Sequence, residues 1–196
     1  VWIFLLCIVG FAMLGFCDDW SKINSQKGIS SGSKFKMQLL LATIVVFCLI
    51  FFTPFSTELV FPFFKHCRPD IGLFFVPWAV FVLVACSNAV NLTDGLDGLA
   101  IGSLLPNFAT FGLVCYVAGH YGLAHYLQIP FAGTAEIAVI GAILSGTSLG
   151  FLWYNAYPAQ IFMGDVGSLA LGAGLALMAI MAKQELLLPI AGGLFV

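Results

Sequence analysis

Met37-Gln-Leu-Leu-Leu-Ala-Thr-Ile-Val-Val-Phe-Cys-Leu-Ile-Phe-Phe-Thr53 carries no charge, and Pro54 stops it. A helix apolar on every side belongs either to the middle of a large core or to a membrane. The whole sequence decides between the two. Of 196 residues, 61% are hydrophobic and 8% charged, against about 25% charged in a soluble domain. Mean hydropathy is +1.07. A chain of this size has no core able to absorb so much apolar surface, whereas a bilayer does.

Working outward from Met37–Thr53, the same pattern recurs. Val1–Phe16 reads as the end of one span, followed by Gly72–Val90, Leu99–Gly119, Ile137–Trp153 and Gly167–Ala182, with a further run beginning at Leu186. Runs somewhat short of the ~20 residues a span needs gain length from neutral flanks. The expectation is an all-α, polytopic transmembrane helix bundle of about six to seven spans, forming one transmembrane catalytic domain over 1–196. There is no initiator Met and no signal-peptide n-region. The run from Leu186 to Val196 is about half a span, so the sequence is expected to be an internal piece of a longer protein.

Six cysteines (Cys7, Cys17, Cys48, Cys67, Cys86, Cys115) are scattered, mostly inside apolar runs, and read as small buried hydrophobes rather than a disulfide framework. His66, His120 and His125 lack ligand spacing. Net charge is −2 with no basic run, which argues against nucleic acid as a partner.

Counting spans places the charges. Two complete crossings separate Asp18/Asp19 from Asp94/Asp97, and two more separate Asp97 from Asp165. All five carboxylates therefore share one membrane face, while Glu58, Asp70, Glu136 and Glu185 fall at the other. The loop after Asp19 holds Lys22, Lys27, Lys34 and Lys36, and the opposite loops hold Lys65, Arg68 and Lys183. Basic residues favour the inner side, which makes the aspartate face the expected cytoplasmic one.

Each acidic cluster has an ordinary structural role beside a chemical one. Asp18-Asp19 is either a solvated stop signal or a base facing a cation. A carboxylate pair at a helix C-terminus opposes the macrodipole, so something cationic must offset it. In Asn88-Ala-Val-Asn91-Leu-Thr-Asp94-Gly-Leu-Asp97-Gly98, Asn88, Asn91 and Asp94 step by three along one helix face, and polar groups there face a cavity rather than lipid. Gly95 and Gly98 let the backbone turn close to a ligand. The spacing is not that of an EF-hand. Asp165 precedes the Gly167–Ala182 span and suits either an N-cap or a metal-bound phosphate at a helix N-terminus. Phe162, beside this loop, suits either stacking on a base or the more common place of an aromatic at the membrane interface. No P-loop, dinucleotide fingerprint or Ser/Cys nucleophile with a base partner is present, and Asp18-Asp19-Trp-Ser-Lys22 lacks Asp-Asp-x-x-Asp spacing. Carboxylates, glycine turns and one lysine-bearing loop on a membrane face suit a magnesium-dependent reaction of phosphates with one lipid-borne substrate. A cation-coupled transporter is the alternative class, but it places such groups at the bilayer midplane and these lie at span ends.

Asp18-Asp19, Asn88 through Ala100, and Phe151-Leu-Trp-Tyr-Asn-Ala-Tyr-Pro-Ala-Gln-Ile-Phe-Met-Gly-Asp-Val-Gly-Ser-Leu-Ala-Leu-Gly172 resemble the polyprenyl-phosphate N-acetylhexosamine-1-phosphate transferases. Asn-Leu-Thr-Asp and Tyr-Pro-Ala-Gln are similar to the phospho-N-acetylmuramoyl-pentapeptide transferase branch. The resemblance covers nearly the whole chain. It implies a ten-span bacterial inner-membrane enzyme with a cytoplasmic active site, habitually dimeric, acting in peptidoglycan synthesis. Its reaction joins phospho-MurNAc-pentapeptide, carried by UDP, to undecaprenyl phosphate, giving lipid I and UMP with Mg²⁺; a sibling using another UDP-HexNAc is the nearest rival. The resemblance further implies that Asp18, Asp19 and Asp165 are catalytic, with Asp165 binding magnesium and one of the pair deprotonating the lipid phosphate. Asn91, Asp94, Gly95, Leu96, Asp97, Asn155 and Phe162 match the nucleotide-sugar site, and Lys34 stands six residues after Gly28 as the diphosphate lysine. The sequence departs from the family in lacking its Pro/Gly segment near the N-terminus and its His-rich loop near the C-terminus. Ser30-Ser-Gly-Ser33 also stands where an arginine is usual.

Overall fold

The computed structural model describes residues 1–25, 28–62, 64 and 68–195. Lys27, Lys65, His66 and Cys67, which the sequence places in loops, lie outside the described residues. Among the described residues, eight α-helices run in order: α1 (Trp2–Ser25), α2 (Ser31–Phe52), α3 (Phe75–Thr93), α4 (Leu99–Gly119), α5 (Tyr121–Leu127), α6 (Ala135–Asn155), α7 (Gly164–Met181) and α8 (Leu188–Ala191). Among the described residues, six are long and apolar enough to cross a membrane: α1, α2, α3 with its leading 3₁₀ turn, α4, α6 and α7. The expected polytopic helical bundle is what forms.

Three boundaries differ from the sequence reading. α1 does not end at Phe16 but continues to Ser25, so Asp18, Asp19 and Lys22 share one helix surface. α2 begins at Ser31, ahead of Met37, because the Ser30 hydroxyl accepts the Ser33 N–H at 3.3 Å and caps an otherwise unpaired donor. The run from Leu186 is not a continuous helix among the described residues. Lys183, at φ 59°, breaks the chain out of α7. Beyond it come a 3₁₀ turn at Glu185–Leu187, the four-residue α8 and another turn at Gly193–Phe195.

α7 is the centre of the bundle, packed by α1, α3 and α4. Its Gly167-Ser-Leu-Ala-Leu-Gly-Ala-Gly-Leu-Ala176 stretch is mostly small residues, which let helix backbones approach closely where lipid supplies no hydrophobic drive. Every residue from Leu175 to Ile180 is buried. α6 packs on α4, where Gly112 and Gly141 meet with no room for a second Cβ. The outward faces remain apolar: Leu5, Val9, Met13 and Phe16 on α1, Phe47 and Phe51 on α2, Val139, Ile143, Leu149 and Trp153 on α6 are all exposed. In water such faces would drive association; in a bilayer they are the lipid contact.

The end of the bundle away from the aspartates is tied by Lys183. Its ammonium donates to the carbonyls of Ser56 and Glu58 and stands 3.7 Å above the Phe55 ring and 4.3 Å above Phe75. Burial lowers the Lys183 ammonium to about 8 and pushes the neighbouring Glu185 carboxyl up to about 7 from 4.5, with the Lys183 charge pulling the other way. Folding therefore favours the protonated acid. The stability this group contributes is full below 4.5 and is lost as pH rises from there through about 7. Glu185→Gln is expected to remove that fall, read as a flatter dependence of the melting midpoint on pH over the same window in detergent. A variant with the wild-type slope would put its origin in another group.

Candidate active site

The sites that span counting assigns to one face meet at one end of α1, α2, α3 and α7. α1 supplies Asp18, Asp19 and, one turn on, Lys22; α2 supplies Lys34 from its first turn; α7 supplies Asp165 from its own. Carboxylate oxygens of Asp18, Asp19 and Asp165 lie within 4.8 Å of one another. Gly15 makes this convergence possible. A Cβ there would stand 2.2 Å from the Asp165 carbonyl oxygen and 2.6 Å from the Val166 nitrogen, so only glycine lets α1 lie against the start of α7.

Two ammonium groups fill the space between the acids. Lys22 Nζ is 2.9 Å from Asp18, 3.2 Å from Asp19 and 2.9 Å from Asp165. Lys34 Nζ bonds Asp165 and lies 3.4 Å from Asp18. These are the cations that the helix-end carboxylates required. Among the described residues, three carboxylates against two ammonium groups leave one negative charge uncompensated. Asp18, only 3% exposed, also accepts the Ile29 N–H at 2.7 Å, fixing the segment that leads into α2.

Asp165 does not cap its own helix. It lies inside the first turn of α7, whose N-cap position is Met163 with no side-chain bond. The capping carboxylate comes from α1 instead: Asp19 Oδ2 accepts the Val166 N–H at 3.3 Å. Gly164, at φ +64°, sits 2.8 Å from that oxygen by its missing Cβ. The capping role, one of the two readings of Asp165, is thus performed across helices, which leaves Asp165 free to face the cluster.

A cavity of about 270 Å³ opens beside the cluster, lined by Asn91, Asp94, Gly95, Leu96, Asp97, Asn155 and Phe162 along with Asp19, Lys22, Gly164 and Asp165. All seven residues matched to a nucleotide sugar line it; Lys34 does not. Leu96 and Phe162 stand 70% and 75% exposed at its rim. Asn155 is buried, and its amide accepts the Gly98 N–H at 3.1 Å and donates to the Ile161 carbonyl at 2.8 Å. Asp97 accepts the Ala159 N–H at 3.0 Å. Both tie the loop after α6 to the turn between α3 and α4, so they shape the wall as much as they face the space. Burial, with the charges of Asp165 and Asp19 adding to it, raises the Asp94 carboxyl above its ordinary value.

A second cavity of about 840 Å³ adjoins the first at the cluster, lined by Asp18, Lys34, Gln38 and Asn88 among others, with Lys22, Asn91 and Asp165 common to both spaces. Sequence reasoning does not single out Lys22 or Gln38 as site residues. Lys22 carries a signal, being three and four residues after the Asp pair on one helix; Gln38 carries none.

A sequence model of glycosyl transferase family 4 matches residues 1–183. The chain belongs to glycosyl transferase family 4. Relatives called phospho-N-acetylmuramoyl-pentapeptide-transferase match this family 4 chain along its entire length. Those of Citrifermentans bemidjiense and Geobacter sp. are each 52% identical, and that of Solidesulfovibrio magneticus is 50% identical. In each case the chain spans 56% of the relative's length. As a member of family 4 with six membrane-length apolar helices, it is a multi-pass membrane protein.

Proposed function

We propose that this chain carries the catalytic face of a phospho-N-acetylmuramoyl-pentapeptide transferase in the bacterial inner membrane, with the aspartate end cytoplasmic. The observation that carries the reading is the shared lining: Lys22, Asn91 and Asp165 border both cavities, so phosphates held in the two spaces meet at these three side chains. UDP-MurNAc-pentapeptide takes the cavity rimmed by Leu96 and Phe162. The phosphate of undecaprenyl phosphate takes the cavity holding Asp18 and Lys34.

An oxygen of the lipid phosphate attacks the sugar-side phosphorus of the nucleotide diphosphate. The bond between the two phosphorus centres breaks at the bridging oxygen, which leaves with UMP, and the new diphosphate is lipid I. One carboxylate of the Asp18/Asp19 pair accepts a proton from the lipid phosphate and holds it at the wall. Lys22 and Lys34 draw the phosphate oxygens by charge and hydrogen bonding.

Mg²⁺ fits this donor set: three carboxylates within 4.8 Å are all hard oxygen ligands, and their surplus negative charge calls for a cation. Asp165 would hold it, flanked by the Asp pair, and when bound it supplies Lewis-acid charge to the diphosphate. The homodimer belongs to the same reading and is supported by the family resemblance alone.

The test is release of UMP from UDP-MurNAc-pentapeptide in the presence of undecaprenyl phosphate, with the complete enzyme in detergent and Mg²⁺ titrated. The expected result is UMP release that needs both substrates and the metal. Release from UDP-GlcNAc but not from the muramoyl substrate would move the chain to the sibling branch; none from either overturns the proposal.

A further inference from the structure

Gln38 is a fully buried amide one turn beyond Lys34 on α2. An amide in a membrane helix is costly unless paired, and this one is paired in both directions. Asn88 Nδ2 donates to Gln38 Oε1 at 2.7 Å and Gln38 Nε2 donates to Asn88 Oδ1 at 3.3 Å. Three residues on along α3, Asn91 Oδ1 accepts the Ser168 hydroxyl at 2.6 Å. Ser168 is itself three residues beyond Asp165 on α7, and Asp165 bonds Lys34. The contacts close a circuit through three helices: Lys34 to Gln38 along α2, across to Asn88, along α3 to Asn91, across to Ser168, and back along α7 to Asp165.

We propose that Gln38 is a positioning residue for the phosphotransfer, setting the rotation and height of α2 on α3 so that the Lys34 ammonium meets Asp165 where the two cavities adjoin. It borders the larger cavity and acts through Lys34 rather than on the reacting groups. The Gln38–Asn88 pair is a polar tie of α2 to α3 below the cluster, where the other buried α2 residues, Ala42, Val45, Val46 and Leu49, are apolar and make no directional bond. The proposal rests on the transferase reading of the site, and one arm of its test does not.

In the complete enzyme, Gln38→Met keeps the length of the side chain and removes both hydrogen bonds. It is expected to lower kcat by about 10- to 100-fold, the scale on which groups behind a reacting residue act, with the KM for the nucleotide sugar within about twofold of wild type. Adding Gln38→Met to Lys34→Ala is expected to cost nothing beyond Lys34→Ala alone, because the two changes remove one function. A wild-type kcat in Gln38→Met, or a loss that multiplies with Lys34→Ala, overturns the proposal; the latter would mean that Gln38 contacts substrate itself.

The second arm reads lysine acylation by a small amine-reactive reagent, quantified by mass spectrometry. Lys34, 15% exposed on its side chain, is expected to label more slowly than the exposed Lys36 in wild type and to approach it in Gln38→Met. Unchanged protection of Lys34 overturns the proposal even if the protein proves to have no transferase activity. If Gln38→Met does not fold, Gln38→Asn, one methylene short of its partner, carries both arms with the same expectations.

Discussion

Asp165→Ala is expected to abolish transfer, with a loss on the order of 10³-fold or more, the scale of removing an electrostatic group from a preorganised site. Asp165 is the meeting point of the cluster: it bonds Lys22 at 2.9 Å, bonds Lys34 and borders both cavities. Removing its carboxylate leaves two ammonium groups facing two acids, so the surplus negative charge that would hold a divalent cation disappears. Asp165→Asn is the sharper test. It keeps the shape and the start of α7 but removes the charge, and it should fall nearly as far while folding like wild type. UMP release across a Mg²⁺ titration reads both variants. Asp165→Asn with more than about a tenth of wild-type activity would mean that the metal and the diphosphate are held elsewhere.

The second large effect comes from a residue with no functional group. Gly15→Ala places a methyl 2.2 Å from the Asp165 carbonyl oxygen and 2.4 Å from its carbonyl carbon. Both are backbone atoms with no rotamer to escape into, so α1 must back away from α7 by roughly 1 Å to reach ordinary contact. A displacement of that size between groups that must act together costs on the order of 10²-fold in rate. The loss should appear in kcat, because Asp18 and Asp19 move away from Asp165 while the cavity rimmed by Leu96 and Phe162 keeps its α3–α4 and α6–α7 walls. Gly146→Ala is the control: nothing lies within 4 Å of a Cβ at Gly146, and its rate should stay within about twofold of wild type. Equal activity in the two variants would show that α1 is not held where the structure has it.

Charge-free runs make the spans legible, since a bilayer sorts residues by polarity along the chain. The same logic fails at the ends. Polarity stops α1 at Phe16 because charges come next, yet Asp18, Asp19 and Lys22 stay helical by bonding one another and α7. The run from Leu186 looks like a span by composition, and the break at Lys183 depends on backbone geometry that polarity does not record. The shared face of the aspartates comes from counting crossings, an integer property that survives errors of several residues. The role of Asp19 as a cap for α7, and of Gln38 as partner to Asn88, depends on which helices become neighbours. No local pattern carries that. The residues matched by family resemblance to the nucleotide-sugar site, Asn91, Asp94, Gly95, Leu96, Asp97, Asn155 and Phe162, fall on one cavity, although Asn155 and Asp97 also spend hydrogen bonds on the loop that shapes it.

The two lysines at the heart of the cluster bear on how the bundle is built. Three carboxylates gathered at the end of apolar helices would repel one another during insertion and assembly. Lys22 arrives on the same helix as two of them, and Lys34 comes at the start of the next. The chain thus brings its own counterions in the order in which it is synthesised. The charge of the cluster is thereby largely balanced by the chain itself, before any ligand is considered.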